Sequence, residues 1–211
     1  MRIKIILNTL LATMLLISSQ AYGAVIFDTG TPPDAAVYGY MENGLGYAAR
    51  FTLSDPYSLT NIEAHFTDQR WRHLQVSGTA TLAIYGDGIY SGIIPDVNSQ
   101  LYDQNFLVGA ATGWYGVSGV NWALPAGNYW VAFEVRTGDT YTGAMDRNPI
   151  NPIPDEALIT NYGTYSDNDN LDFAYRAYGN PSGVVPEPAT MVLFGIGAAA
   201  MAMARRKKRI S

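Results

Sequence analysis

Between residues 24 and 183, apolar and polar positions alternate in short runs that Gly, Pro, Asn and Asp interrupt. Over residues 46–53, Tyr47, Ala49, Phe51 and Leu53 fall on one face of an extended chain. Over residues 59–66, Ile62, Ala64 and Phe66 oppose Asn61, Glu63 and His65, and over 79–85 Leu82 and Ile84 oppose Thr81 and Ala83. Tyr129, Val131, Phe133 and Val135 oppose Trp130, Ala132 and Glu134, while Phe173, Tyr175 and Ala177 oppose Ala174, Arg176 and Tyr178. A period of two, carried by aromatic and β-branched residues, predicts half-buried antiparallel strands. No sustained helical period occurs in this stretch. About eight to ten short strands in about 160 residues predict an all-β domain, an antiparallel β-sandwich of jelly-roll-like or immunoglobulin-like architecture.

Turn residues support that reading. Gly86-Asp87-Gly88, Pro125-Ala126-Gly127-Asn128 and Thr137-Gly138-Asp139 stand between alternating runs, and the last two bracket the strand over 129–135. Longer loops are expected over Asp139–Ala157, with Pro149, Pro152 and Pro154, and over Asp87–Ser99.

The two ends obey different rules. Arg2 and Lys4 precede an apolar stretch over 5–17, and Ala21-Tyr22-Gly23 supplies small residues at the −3 and −1 positions of a cleavage site. This is the pattern of a secretory signal peptide over 1–23, with cleavage expected after Gly23 and Ala24 as the next candidate. At the other end, Val184 and Val185 lead into Pro186-Glu187-Pro188, then the uncharged span Ala189–Ala204, then Arg205, Arg206, Lys207, Lys208 and Arg209. Helical geometry gives that span a length of roughly 24 Å against a hydrocarbon core of about 30 Å, a marginal transmembrane helix. The five cations act as a stop-transfer and positive-inside signal that keeps residues before Pro186 outside. Both prolines fix φ and extend the residue before them, so Glu187 is presented on a stiff segment next to the membrane.

This tail, over 184–211, resembles the PEP-CTERM sorting signal. The resemblance implies a substrate of an exosortase, a membrane enzyme of exopolysaccharide-producing Gram-negative bacteria. It further implies transient tethering in the inner membrane, cleavage near Pro186-Glu187-Pro188, and delivery to the cell surface or extracellular matrix. Two shorter likenesses concern the domain over 24–183. Residues 122–131 are similar to a Leu-Pro-Ala-Gly-x-Tyr-Trp turn and strand of exported sandwich modules. Residues 172–179 are similar to the closing strand of many ectodomains with PEP-CTERM tails.

Charge changes the picture of the domain. It holds six arginines, no lysine and seventeen acidic residues, a formal charge of −11 that the whole-chain value of −5 conceals. Such a surface repels nucleic acid, so no nucleic-acid partner is expected. With no cysteine in the chain, the fold stands on its core alone, and thiolate zinc sites and thiol nucleophiles are excluded.

Candidate chemistry is sparse. Trp130 and Glu134 share a strand face, and if exposed they make a glycan-binding platform with an aromatic plane and an acceptor; core filling is the structural alternative. Asp167, Asp169 and Asp172, interleaved with Asn168 and Asn170, form a candidate calcium loop, which a solvated turn explains equally. His65 and His73 lack a metal-ligating neighbour and read as surface residues. Gly116-Val117-Ser118-Gly119 approaches a nucleophile elbow but lacks its strand–elbow–helix setting. Glu63 with Glu134 is a carboxylate pair for glycoside hydrolysis only if the fold brings them together. The expected function is structural or adhesive, in exopolysaccharide or biofilm, without catalysis or a cofactor. A lectin-like module is the alternative, and a polysaccharide hydrolase the least favoured.

Overall fold

In the computed structural model, residues 23–33, 38–67, 77–87, 94–160, 163–168 and 171–182 are described. They form twelve strands and no helix: β1 (Ala24–Asp28), β2 (Tyr38–Met41), β3 (Gly46–Leu53), β4 (Tyr57–Thr67), β5 (Gly78–Asp87), β6 (Pro95–Val108), β7 (Gly113–Leu124), β8 (Gly127–Glu134), β9 (Gly143–Asp146), β10 (Glu156–Ile159), β11 (Tyr165–Asp167) and β12 (Tyr175–Pro181). Every pairing among them is antiparallel. The expected all-β antiparallel class is therefore present.

The strands divide into two sheets. In the first, β4 is the spine, with β7 along one flank and β12 followed by β9 along the other. Beyond these, β1 pairs with β12 and β2 with β9. The second sheet has the order β11-β10-β3-β8-β5-β6. Alternation decides which side chains meet. Tyr47, Ala49, Phe51 and Leu53 of β3, Val131 and Phe133 of β8, and Leu82 and Ile84 of β5 join Leu59, Ile62, Ala64 and Phe66 of β4 in one buried cluster. Phe66 lies at its centre, with ring centroids 5.4 Å from Tyr141, 6.0 Å from Phe106 and 6.1 Å from Phe133. Each large apolar side chain so buried contributes about 1.5–3 kcal/mol, and well-placed aromatic pairs add about 0.5–1.5 kcal/mol. Core packing stands in place of disulfides.

The middle of the second sheet is buried on its other face too. There Ala48, Ala83, Ala132 and Ala157 line the backbone, and Tyr85, Trp130 and Tyr165 cover them. The sheet curls so that its opposite edge strands, β11 and β6, come within 8 Å between Cα atoms. Four alanines in a row across four strands make room for that closure.

Both expected loops contain strands. The segment 139–157 holds β9, all four of whose residues are buried, and the segment 87–99 holds the first residues of β6. Gly-Ala-Met-Asp carries no β-branched residue, and Pro95 opens β6, so neither has the usual composition of a strand. Of the turns, Gly138 has φ +96° and Asp139 N donates to Arg136 O at 2.9 Å, whereas Gly86 and Asp87 belong to β5.

Candidate functional site

The end of β12 is the point where the domain meets its tail. Tyr175 to Pro181 pair with Ala64 to Tyr57 of β4, and Arg176 to Gly179 pair on the other side with β1. Ser182 N then donates to Pro56 O at 2.7 Å. The chain is thus held in register to within a few residues of Pro186-Glu187-Pro188. That motif, the span 189–204, the cations 205–209 and the leader up to Tyr22 lie outside the described residues.

The outward face of the first sheet carries a row of polar and aromatic side chains. Register sets Arg176 of β12 opposite Glu63 of β4, and the guanidinium Nε donates to Oε2 at 2.6 Å. The same guanidinium lies 4.2 Å from the centroid of Trp114 and 5.9 Å from that of Tyr178. Trp114, opposite His65 in the β4–β7 ladder, meets the imidazole edge-on at 5.1 Å and donates Nε1–H to Thr31 Oγ1 at 3.4 Å. His65 corrects the surface reading: it is buried, with Nδ1 2.6 Å from Asp146 Oδ2. The cause is β9, which pairs with Phe66 and Thr67 and so sets Asp146 beside His65. Asp146 is fully buried, and its Oδ1 has no hydrogen-bond partner among the described residues. Trp114, Tyr178, Glu63 and Arg176 remain partly exposed. Together they present an aromatic edge beside a charged hydrogen-bonding pair.

The outward face of the second sheet does not meet the condition set for Trp130 and Glu134. Trp130 is 0% and Glu134 4% exposed, so the two share a face, as expected, but the face is closed. Curling of the sheet over its alanines is the reason. Glu134 is the hub of a network: Tyr85 and Tyr165 donate their phenol O–H to Oε1 at 2.8 and 2.5 Å, and Arg136 Nε donates to Oε2 at 2.5 Å. Arg136 also reaches Asp103 Oδ2 and Gln100 Oε1, each at 2.8 Å, tying β6 to the hub. Burial, and next the Glu134 charge, push the Tyr85 phenol well above its usual range. Farther along, Arg50 grips Asp87 with Nε–Oδ1 of 3.0 Å and Nη2–Oδ2 of 2.6 Å. That guanidinium holds the Asp87 carboxyl below the usual carboxylate range.

Two of the three calcium candidates lie among the described residues. Asp167 is exposed at the end of β11, Asp172 is half-buried in a left-handed conformation at φ 49°, and Asp169 lies outside the described residues. The Asp172 carbonyl accepts from Asn148 N at 2.8 Å, and the Leu171 carbonyl accepts from Arg147 Nε. Among the described residues no group of three His, Cys, Asp or Glu is placed to hold a metal. The nearby buried carboxyl is Glu156, a residue without any motif in the sequence to mark it. It accepts from Phe173 N at 2.9 Å, its Oε2 lacks a partner among the described residues, and burial pushes its carboxyl up to about 8.

The remaining candidates separate. Gly116-Val117-Ser118-Gly119 lies within β7, and a Cβ on Gly116 would stand 2.0 Å from Ile62 O, so that glycine serves close strand approach. Glu63 and Glu134 point outward from different sheets with the core between them. His73 lies outside the described residues.

In the sequence, the antiparallel two-sheet domain is followed by a proline-flanked tail. Residues 184–208 match the PEP-CTERM protein-sorting motif, a match consistent with an exosortase substrate. No curated protein matches the chain.

Proposed function

We propose that the protein is a β-sandwich, jelly-roll-like or immunoglobulin-like, that an exosortase delivers from the inner membrane to the surface or exopolysaccharide matrix of a Gram-negative cell. There it acts as a structural or adhesive component, without catalysis. The observation that carries this reading is the sorting motif over 184–208, which follows a two-sheet antiparallel domain. Separation of Glu63 from Glu134 favours a non-catalytic role, since glycosidic cleavage needs its two carboxyls about 5–10 Å apart across one bond. Fractionation of the producing cell tests the proposal. The tail-free domain is expected in the surface or matrix fraction, and loss of the gene is expected to weaken matrix cohesion. Recovery only as a full-length inner-membrane protein would overturn it.

A lectin-like role is the second reading, supported by the partly exposed Trp114, Tyr178, Arg176 and Glu63 rather than by Trp130. Such a face suits a neutral glycan, because the domain's charge of −11 repels acidic ones. The purified domain on a glycan array, beside Trp114→Ala, tests it: retention that the substitution abolishes supports a lectin, and no retention removes it. Release of reducing ends from host polysaccharide would instead support a hydrolase. Calcium binding at Asp167–Asp172 predicts a higher melting temperature in millimolar calcium, and no shift argues against it.

A further inference from the structure

Gly23, the expected last residue of the leader, is built into the folded domain. It is buried, and a Cβ placed on it would lie 2.7 Å from both the carbonyl carbon and the oxygen of Gly179 and 2.8 Å from its nitrogen. Nothing but glycine fits against that backbone. Gly179 is itself confined, since a Cβ on it would meet Ser58 O at 2.7 Å and Ile26 Cδ1 at 2.8 Å. The ladders on both sides of β12 shift register here, between Tyr178 and Gly179 toward β4 and between Val25 and Phe27 within β1. The Gly23 main chain thus packs directly on Gly179 at the point where β12 is irregular. A chain beginning at Ala24 leaves that stretch of Gly179 uncovered.

The sequence offers a second cleavage site two residues earlier. Ser19-Gln20-Ala21 also has small residues at −3 and −1, after the same apolar stretch and charged start. We infer that the leader is removed between Ala21 and Tyr22, so that the mature chain begins Tyr22-Gly23-Ala24. In this step water adds across the Ala21–Tyr22 amide, leaving a carboxylate on Ala21 and an ammonium on Tyr22. The new charge forms two residues before β1, and Gly23 stays against Gly179.

This rests on the export reading, and the experiment distinguishes the two. N-terminal sequencing and intact mass of the exported, processed protein are expected to give Tyr22 as the first residue. A first residue of Ala24 would overturn the inference while leaving export intact; a retained leader would overturn both. Two variants add an independent arm. Ser19→Leu is expected to abolish the form beginning at Tyr22, whereas Gly23→Val is expected to be processed at Tyr22 and to melt at lower temperature. The reverse result, normal maturation of Ser19→Leu and blocked maturation of Gly23→Val, would place the cut after Gly23 and overturn the inference.

Discussion

Tyr165 Oη and Glu134 Oε1 lie 2.5 Å apart, joining the edge strand β11 to the central strand β8 of the second sheet. Sheet order separates these strands by β10 and β3, so only a curled sheet lets the two side chains meet. Tyr165→Phe is expected to lower stability by about 1.5–3 kcal/mol, the range for a hydrogen bond to a charged group. Glu134→Ala is expected to cost about 3–5 kcal/mol, since it strips Arg136 and two phenols of their common acceptor. Urea unfolding of the tail-free domain measures both. Equal, near-zero losses would mean that the hub does not hold the curl.

Glu156 makes stability depend on pH. Its folded carboxyl titrates near 8 instead of at the usual 4.5, chiefly because it is buried. The folded state therefore keeps a proton that the unfolded state gives up. Stability contributed by this group is full below pH about 4.5 and is lost as pH rises through about 8. Glu156→Gln keeps an acceptor for Phe173 N and removes the titration. Its melting temperature is expected to exceed that of the wild type at pH 8–9 and to converge with it near pH 4.5. Parallel curves across that range would contradict the assignment.

Three neighbours on β7 separate sterics from chemistry. Gly116→Ala is expected to cost about 1–3 kcal/mol or more, because the added carbon runs into the Ile62 carbonyl and must move a strand. Gly119→Ala meets no atom within 4 Å but has φ +71°, so a loss of about 1–2 kcal/mol from backbone strain is expected. Ser118 is exposed, and Ser118→Ala is expected to change stability by no more than about 0.5 kcal/mol. Thermal unfolding of the three variants checks the ranking. Loss of a hydrolytic activity in Ser118→Ala would revive the nucleophile reading.

Sorting should hinge on Glu187. Glu187→Ala is expected to leave the protein in the membrane fraction with its basic tail attached, as an immunoblot against a tag placed after Ser211 would show. Processing at the wild-type rate would show that Pro186-Glu187-Pro188 is recognised by its prolines alone.

Legibility in the sequence followed periodicity. The faces of β3, β4, β5 and β8 could be read residue by residue, because alternation reports which side of a strand is buried. It does not report what covers the other side. Trp130 and Glu134 were legible as face-sharing neighbours, yet the curl that buries them depends on contacts between strands far apart in the chain. His65 was misread for the same reason, its partner Asp146 lying in a four-residue strand without strand-like composition. Glu156 gave no warning at all, since an acidic residue after a proline-rich stretch ordinarily faces water. The tail needed no such long-range information; its order of residues is the signal.

The antiparallel pairing of β1 with β12 sets Ala24 opposite Gly179 and brings both ends of the domain to one pole. The turns at Glu42–Leu45 and Arg136–Tyr141 lie at the opposite pole from that C-terminal end. Tension applied at that C-terminal end would enter along the axis of β12. That strand is gripped on both flanks, so it must slide past two ladders together and cannot be peeled from one. The last strand is a mechanical clasp as well as the place where the address is attached.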